Sequence, residues 1–425
     1  MTPPTDPSAA PTAPTAATAD PVAATPPPHD PALGRNVIAL GFTSLFTDVS
    51  SEMIIPVLPG FVTGTLKASV ASLGVIEGVA ECTATALRIV SGWLSDRIGR
   101  RKPFMLLGYG ISTVAKGAMA LAGSWGAVLG LRFSDRVGKG LRNPPRDALI
   151  ADSVPARRLG SAFGLHRAMD TLGAAIGPLA AYAMLAAFPG EVRRVFVAAV
   201  LPAVLAVLVL AIFVRSPARS TPGARRSLFG DFRSLRPPVY RFLVVAAVFS
   251  LAASSMAFVL LRAGQVGFSP AQVPLVYVVY NVVYAALSWP LGHLSDRIGR
   301  RPLLFAAYLC FAACYALLAW QASRVAVVAA FAGLGVHSAL LEGTQRSMLA
   351  DFVAAERRAT AYGLYYAVVG AALLPASIMG GFLWDRFGPA ATFGVSATLA
   401  LAAALLFALL LPVHHERRDR HAHAA

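Results

Sequence analysis

Four carboxylates lie in otherwise apolar segments, and they form two pairs with the same spacing. Asp48 and Glu52 are four residues apart, and so are Glu77 and Glu81. On a helix this spacing places both side chains of a pair on one face. An ionised side chain at the centre of a bilayer costs about 2.5–3.5 kcal/mol on insertion scales, so such acids need a function or a partner. Because two carboxylates in a dry site do not both ionise cheaply, each pair is a candidate to take up and release protons.

A structural interpretation of the same four acids stays open. Arg88, Lys116 and Arg132 lie in neighbouring apolar segments, where each could neutralise a carboxylate as a fixed ion-pair partner. In that case the acids would stabilise the fold and would carry no protons. The sequence places the charges in the right segments for either role, and it does not choose between them.

The most highly charged apolar segment runs from Arg132 to Asp152. Its adjacent prolines, Pro144 and Pro145, remove two backbone donors, so we expect the helix to kink or break there. A broken helix is tolerated at membrane depth only where it is buried in protein or lines a watery cavity. We therefore expect a cavity wall, an ion-pair lattice against the neighbouring segments, or both. The charged residues concerned are Arg132, Asp135, Arg136, Lys139, Arg142, Arg146, Asp147 and Asp152, with His166, Arg167 and Asp170 in the next segment.

Composition predicts that membrane helices position these residues. Apolar residues make up 56% of the 425-residue chain, charged residues 14%, and the mean hydropathy is +0.62. A soluble chain carries about 25% charged residues. The net charge of +16 does not indicate nucleic-acid binding, because the basic residues cluster in short loops between apolar runs. We expect an all-α integral membrane protein whose surroundings are the lipid bilayer.

The apolar runs predict twelve transmembrane helices, each near the length that a hydrocarbon core of about 30 Å requires. An even number places both termini on one side, and the loops on that side hold about twenty Lys and Arg residues. The opposite loops hold only Lys67, Arg193, Arg194, Arg324 and Arg386. The first side is therefore expected to be the cytoplasm of a bacterial cell, with the protein in the inner membrane. The predicted spans are 36–60, 70–92, 103–122, 126–150, 162–186, 194–214, 241–262, 271–292, 302–320, 325–348, 360–383 and 389–412.

An octapeptide that occurs twice indicates an internal duplication. The sequence LSDRIGRR of residues 94–101 returns unchanged at residues 294–301, an offset of 200 residues. Two shorter similarities follow. RDALIAD at residues 146–152 resembles RSMLAD at residues 346–351 with one residue skipped, and AFGL at residues 162–165 resembles AYGL at residues 361–364. Six helices per repeat keep the same orientation, so a pseudo-twofold axis along the membrane normal is expected. Such folds bind substrate near the midplane, between the halves.

The duplication predicts five regions. Residues 1–35 form a disordered, Pro-, Ala- and Thr-rich cytoplasmic tail, and residues 36–214 form an N-terminal six-helix bundle. Residues 215–240 form a basic cytoplasmic linker. Residues 241–412 form the C-terminal six-helix bundle, and residues 413–425 form a second cytoplasmic tail.

The repeated motif resembles the loop 2–3 signature of the major facilitator superfamily and its loop 8–9 counterpart. Arg132 is similar to that family's span-4 arginine. Gly173-x-x-x-Gly177-Pro178 resembles the span-5 motif associated with exporters, although Ala181 and Tyr182 replace its closing glycine pair. The resemblance implies a transporter without enzymatic activity and without a cofactor. The expected gating residues are Gly92, Asp96, Arg97, Gly99 and Arg100, with Gly292, Asp296, Arg297, Gly299 and Arg300 in the second copy.

The same resemblance implies a role for the motif in gating. Asp96 and Arg97 would pair with neighbouring helix ends and stabilise one access state. The competing interpretation is that the motif only supplies the positive charge that orients the chain in the membrane. Positive charge alone does not require Asp96, Gly99 or Gly92, so we favour gating.

The two halves differ most in the helices that lead into the motif. Through the 200-residue offset, Glu77 corresponds to Tyr277, and Glu81 corresponds to Asn281. We therefore expect ion coupling in the first half and a more aromatic substrate surface in the second, unless the tyrosines serve only packing. The candidates for proton coupling are Asp48, Glu52, Glu77 and Glu81. The candidates for the substrate cavity are Arg88, Lys116, Arg132, Arg136, Arg142, His166, Asp170, Tyr277, Asn281, Glu342, Arg346 and Tyr365.

We expect a monomeric secondary transporter that exports a small organic molecule against entering protons by alternating access. No GxxxxGK[ST] phosphate loop is present, so no nucleotide is expected. The basic residues of spans 2–4 leave uptake of an anionic metabolite open. The intramembrane acids and the tail histidines leave a metal-cation exporter open, and a non-transporting membrane sensor would be a function of a different class. The tail histidines are His414, His415, His421 and His423.

Overall fold

The computed structural model describes residues 31–98, 100–155, 158–215, 235–354 and 357–411. The tail histidines and most of the predicted linker, residues 216–234, lie outside these ranges. The predicted domain boundaries therefore stay a prediction. Every regular element in the described ranges is helical, which confirms the all-α fold class.

The helices follow the predicted spans closely. The long helix α1 continues through the short α2 and a π-helical turn at Phe61–Thr65, while a 3₁₀ turn at Met119–Leu121 extends α4. The pairs α7 with α8 and α9 with α10 each form one span. The first half contains α1 (Pro31–Ile54), α2 (Leu58–Gly60), α3 (Val70–Ile98), α4 (Lys102–Ala118), α5 (Trp125–Asp152), α6 (Leu159–Ala187), α7 (Val192–Ala198) and α8 (Val200–Phe213). The second contains α9 (Pro237–Ala252), α10 (Met256–Gln265), α11 (Gln272–Ile298), α12 (Arg300–Trp320), α13 (Arg324–Asp351), α14 (Arg358–Phe387) and α15 (Pro389–Leu410).

The predicted twelve spans are present. Eleven helical segments of the described chain are long and apolar enough to cross a bilayer. The twelfth is α5, which has 28 residues but carries too many charges to qualify by composition. Its neighbours α3 and α4 cover those charges, so α5 is a buried helix of the first half rather than a lipid-facing one.

Of the kink or break predicted at the double proline, the break does not occur. Helix α5 continues through Pro144 and Pro145 to its end at Asp152. Pro144 cannot donate to the carbonyl of Gly140, and the hydroxyl of Ser91 on α3 donates to that carbonyl instead, at 2.7 Å. A neighbouring helix thus satisfies one of the two carbonyls that the prolines leave without an intrahelical donor.

The two halves meet mainly along two helix pairs, with a smaller contact between α2 and α10. Helix α3 packs against α14, and α6 packs against α11. Within the first half, α1 packs on α6, and α5 packs on α3 and α4. The second half repeats this scheme, with α13 against α11 and α12, around an aromatic core that includes Phe249, Tyr308 and Phe311. The functional residues lie between these pairs.

Candidate functional site

A cavity of about 1270 Å³ separates the two halves. It is lined by the parts of α3, α11 and α14 nearest the repeated motifs, including Arg88, Gly292 and Gly363. At the opposite end the halves are in contact, and Asp385 of α14 accepts hydrogen bonds there from the first two backbone amides of α3. The cavity is therefore open toward the motif end and closed at the other end.

Most of the predicted cavity residues line this space. They come from α1, α3, α5 and α6 in the first half and from α11, α13 and α14 in the second, so the fold brings together residues far apart in sequence. The predicted residues found in the lining are Asp48, Glu52, Arg88, Arg142, His166, Asp170, Tyr277, Asn281, Glu342, Arg346 and Tyr365.

Asp48 and Glu52 sit where α6 approaches α1 most closely. A Cβ atom at Gly173 would lie 2.9 Å from the Cβ atom of Asp48, and one at Gly177 would lie 2.6 Å from that of Glu52. Small residues at this spacing let two membrane helices approach backbone to backbone. The span-5 motif thus sets the position of the two acids.

The two acids have few partners. In the part of the chain that the structure describes, Asp48 makes no hydrogen bond or ion pair, and one carboxylate oxygen of Glu52 is buried without a partner. Tyr277 of the second half lies near Glu52, and both line the large cavity. Glu52 therefore faces a residue of the other half, whereas Asp48 is available to the cavity.

A second and much smaller cavity, the buried chamber, has a volume of about 30 Å³ and lies beside these acids. Asp48 and Glu52 line both cavities, and the small one has room for at least one water molecule. Lys116, Arg132 and Arg136, predicted in the substrate cavity, line this chamber instead, because α5 turns its arginines toward α3 and α4.

Glu77 and Glu81 lie outside both cavities and have fixed partners. Glu77 accepts from Arg132 at 2.8 Å, and Glu81 lies 3.2 Å from Arg136. Arginines four residues apart on α5 thus match glutamates four residues apart on α3. Arg132 also lies 3.6 Å from Asp135. Here the geometry matches the structural interpretation, since each carboxylate is paired.

Lys116 and Arg142 have hydroxyl partners on neighbouring helices, Ser51 on α1 and Ser112 on α4. Lys116 of α4 donates to the hydroxyl of Ser51 at 2.7 Å, and Arg142 donates to that of Ser112 at 3.0 Å. The guanidinium of Arg142 also lies 4.5 Å from the ring centre of Tyr109. Sequence reasoning missed these hydroxyl partners, because small polar residues are common in membrane helices and carry no distinctive spacing.

His166 and Asp170 belong to a polar cluster on the first-half wall. Asp170 accepts from Ser44 and lies 3.5 Å from Nδ1 of His166, whose Nε2 is buried without a partner in the described chain. Arg146 donates to the same serine at 3.3 Å and pairs with Asp147 at 2.9 Å. Ser44 links α1, α5 and α6 in this cluster.

The second-half wall is aromatic. Tyr277, Tyr280 and Tyr284 form a ladder on α11, with ring centres 5.6 and 6.1 Å apart and planes within 13° of parallel. Asn281 on the same helix donates to the carbonyl of Ala174 in the first half at 2.9 Å. Tyr365 is largely buried and stacks on a phenylalanine of α9. This wall offers ring faces and hydroxyl groups to a solute.

An ion pair joins the two walls. Arg167 of α6 reaches Glu342 of α13 at 3.2 Å and bonds to the hydroxyl of Tyr284. Glu342 is also paired with Arg346 at 2.7 Å. Glu342 and Arg346 were expected in the cavity, and Arg167 was expected in a cavity wall or an ion-pair lattice of the first half. The link across the cavity is therefore new information from the structure.

The repeated motif contacts a helix end through one arginine in each copy: Arg101, which was not among the predicted gating residues, and Arg300, which was. Arg101 pairs with Asp152 at the end of α5, and in the second copy Arg300 pairs with Asp351 at the end of α13. The guanidinium of Arg97 lies over the ring of Trp93 on its own helix, 5.2 Å from the ring centre. The gating role itself stays a prediction.

Other motif residues mark the ends of helices. Gly299 has a φ of 90° and separates α11 from α12, a conformation that favours glycine. Asp296 and Arg297 occupy the last turn of α11. Gly99 and the side chain of Asp96 lie outside what the structure describes.

The comparisons with known proteins agree with this geometry. The sequence model of the Major Facilitator Superfamily matches residues 40–262 and 242–425. An uncharacterized MFS-type transporter of Methanocaldococcus jannaschii is 34% identical over 388 residues, which cover 89% of this chain and 95% of that protein. The multidrug efflux pump LfrA of Mycolicibacterium smegmatis is 37% identical over 144 residues, 33% of this chain and 28% of the pump. A crystal structure of a nucleoside transporter NupG mutant has a TM-score of 0.76 at 12% identity, covering 88% of this chain and 99% of NupG, a likeness of fold alone.

Proposed function

The chain belongs to the Major Facilitator Superfamily, and on that premise we propose that it exports a small organic molecule in exchange for protons. Members of this family are membrane transporters and not enzymes. The observation that carries the proposal is the position of Asp48 and Glu52 at the boundary between the large cavity and the buried chamber.

Exchange follows from competition for the two acids. A solute in the large cavity that engages Asp48 or Glu52 favours their ionised forms, and protons favour the neutral forms. Because Tyr277 approaches Glu52 from the other half, a change in the charge of Glu52 also biases how the halves sit together. One pair of acids thereby links proton binding, solute binding and access.

Two further observations support export. The glycines of the exporter-like span-5 motif pack against the backbone of α1 at these two acids, so the motif and the proposed coupling site are one structural unit. The similarity to the efflux pump LfrA, although it covers a third of the chain, points to the same direction of transport.

Uptake of an organic anion together with protons is a second candidate. Arg88 and Lys139 line the cavity and make no ion pair with the residues that the structure describes. When Asp48 and Glu52 carry protons, these cations leave the cavity positive, which favours an anion. The anion and the protons would then travel together rather than in exchange.

Metal export and a sensor role have less support. The described residues contain no group of three or more His, Cys, Asp or Glu side chains that could hold a metal ion. The tail histidines lie outside the described residues. Membership of a transporter family favours transport over a sensor role.

Purified protein in proteoliposomes tests both transport candidates. An aromatic cation such as ethidium and an aromatic anion such as benzoate would be supplied under an imposed pH gradient, and internal pH would be followed with a trapped dye. Exchange predicts that solute and protons move in opposite directions. Movement in the same direction, with the anion only, would establish the second candidate and overturn the first.

The matched variants are Asp48→Asn and Glu52→Gln, with Glu191→Gln as the control. Glu191 is an exposed acid at the start of α7 that pairs with Arg194 outside both cavities. Both cavity variants should lose gradient-driven accumulation, and the control should keep it. Full gradient-driven transport in the two cavity variants would remove these acids from coupling.

A further inference from the structure

We propose that Asp385 is a latch that holds the closed end of the transporter together by capping a helix of the opposite half. Asp385 lies near the end of α14, in the second half. Its two carboxylate oxygens accept hydrogen bonds from the backbone amides of Val70 and Ala71, at 3.1 and 2.7 Å. These are the first two residues of α3, in the first half.

The amides at the start of α3 need such an acceptor. The first N–H groups of a helix have no partner within it, and aligned peptide dipoles make that end positive. Ser69 satisfies the amide of Ser72 at 3.1 Å from within the same half. The amides of Val70 and Ala71 depend on the charged side chain from the other half.

At the α6–α11 interface, no side chain of the opposite half caps the start of α11 among the described residues. Helix α11, which corresponds to α3, begins at Gln272, whose amide donates to the hydroxyl of Ser269 at 3.3 Å. The side chain of Gln272 accepts in return from the amide of Ser269 at 3.0 Å, so this cap is local. Counting back 199 residues, the offset of the AFGL and AYGL motifs, places Ala186 of α6 opposite Asp385. The cross-half cap therefore belongs to the α3–α14 interface.

Alternating access requires the closed end, where Asp385 lies, to open in turn. The hydrogen bonds of Asp385 must then break. Around Asp385 the two helices are in backbone contact, since a Cβ atom at Gly381 would lie 2.6 Å from the carbonyl oxygen of Val70. Separating the halves there exposes the amides of Val70 and Ala71 to water and removes both hydrogen bonds. Asp385 lines neither cavity, so its effect falls on the balance of access states and not on solute contacts.

The test measures that balance directly and needs no solute. Spin labels would be placed on cysteines at Thr65 and Gln321, exposed positions of the two halves at the closed end, after Cys82, Cys310 and Cys314 are replaced. Electron–electron distance measurements on the full chain in lipid would report how often that end is open. The measurement rests on alternating access alone, so it can succeed even if the proposed export or its coupling acids prove wrong.

Asp385→Ala should raise the ratio of open to closed ends by about five- to thirtyfold, the effect of 1–2 kcal/mol from lost capping bonds. Asp385→Asn keeps one acceptor oxygen and should produce a smaller shift in the same direction. The matched control is Ser69→Ala, which removes a cap within one half and should leave the ratio unchanged. Unchanged distances in both Asp385 variants, or an equal shift in Ser69→Ala, would overturn the latch.

Discussion

Helices α5 and α13 occupy equivalent positions in the two halves. The contacts at their ends are alike, but the residues along their interiors differ. Both have 28 residues, and both begin after a serine whose hydroxyl accepts from an amide three residues on, at 3.2 Å. Both end at an aspartate that pairs with an arginine of the repeated motif. These ends align with an offset of 199 residues.

The interiors are chemically opposite. The α5 positions that face the other helices carry Arg132, Asp135, Arg136, Lys139 and Arg142. The same offset gives Phe331, Leu334, Gly335, Ser338 and Leu341 on α13. The two helices therefore share their caps and motif ion pairs, while the row of buried charges on α5 has no counterpart at the equivalent positions of α13. We therefore expect ion coupling to depend on the first half and solute contacts to depend more on the second.

The largest effect is expected from breaking a buried pair in α5. Arg132→Leu leaves Glu77 buried without its 2.8 Å partner, which should cost about 3–5 kcal/mol of stability. The matched change at the equivalent α13 position, Phe331→Leu, removes only apolar contacts and should cost clearly less. Thermal unfolding in detergent measures both. Equal losses of stability at the two positions would contradict the difference in buried charge between α5 and α13.

A smaller effect is expected where α6 approaches the acids. Gly177→Val inserts a side chain against the backbone of α1 at Glu52, and such overpacking costs about 1–3 kcal/mol. Gradient-driven transport should fall sharply, because the acid moves relative to Tyr277. Gly164→Ala on the same helix meets no atom within 4 Å and serves as the control. Proteoliposome transport together with unfolding temperature gives the readout, and wild-type transport by Gly177→Val would argue against this packing.

The smallest effect is expected on the aromatic wall. Tyr280→Phe keeps the ring ladder but loses the hydroxyl that lies 3.1 Å from Ser338, a bond worth about 0.5–1.5 kcal/mol. Solute affinity should change modestly, while the number of protons moved per solute should stay the same. Parallel solute and proton flux measurements test this. A changed proton ratio would place part of the coupling in the second half.

Sequence patterns were sufficient to predict the arrangement of the transmembrane helices and the family. Apolar run length, the repeated octapeptide and the loop charges predicted the twelve spans, their boundaries to within about six residues, and the family. These features report on single helices and on repetition, which are visible along the chain. Loop charge also predicts that both termini are cytoplasmic, and that orientation stays a prediction.

The sequence could not supply partners that depend on tertiary packing. Glu77 and Asp48 look alike along the chain, but only the structure shows that Glu77 has an arginine and Asp48 has no partner among the described residues. The same limit applies at Pro144, because the group that donates to the freed carbonyl of Gly140 is Ser91 of the neighbouring helix. Asp385 gave no signal in the sequence, because the amides that donate to it lie more than 300 residues away.

The central claim, that protons bind at Asp48 and Glu52, is tested most directly by infrared difference spectroscopy during a shift from acidic to alkaline pH. Wild-type protein should lose the absorption of protonated carboxylic acids. A combined Asp48→Asn and Glu52→Gln variant should lack that signal, and a combined Glu77→Gln and Glu81→Gln variant should retain it, because those glutamates are ion-paired. A signal that persists in the first variant and disappears in the second would contradict the account.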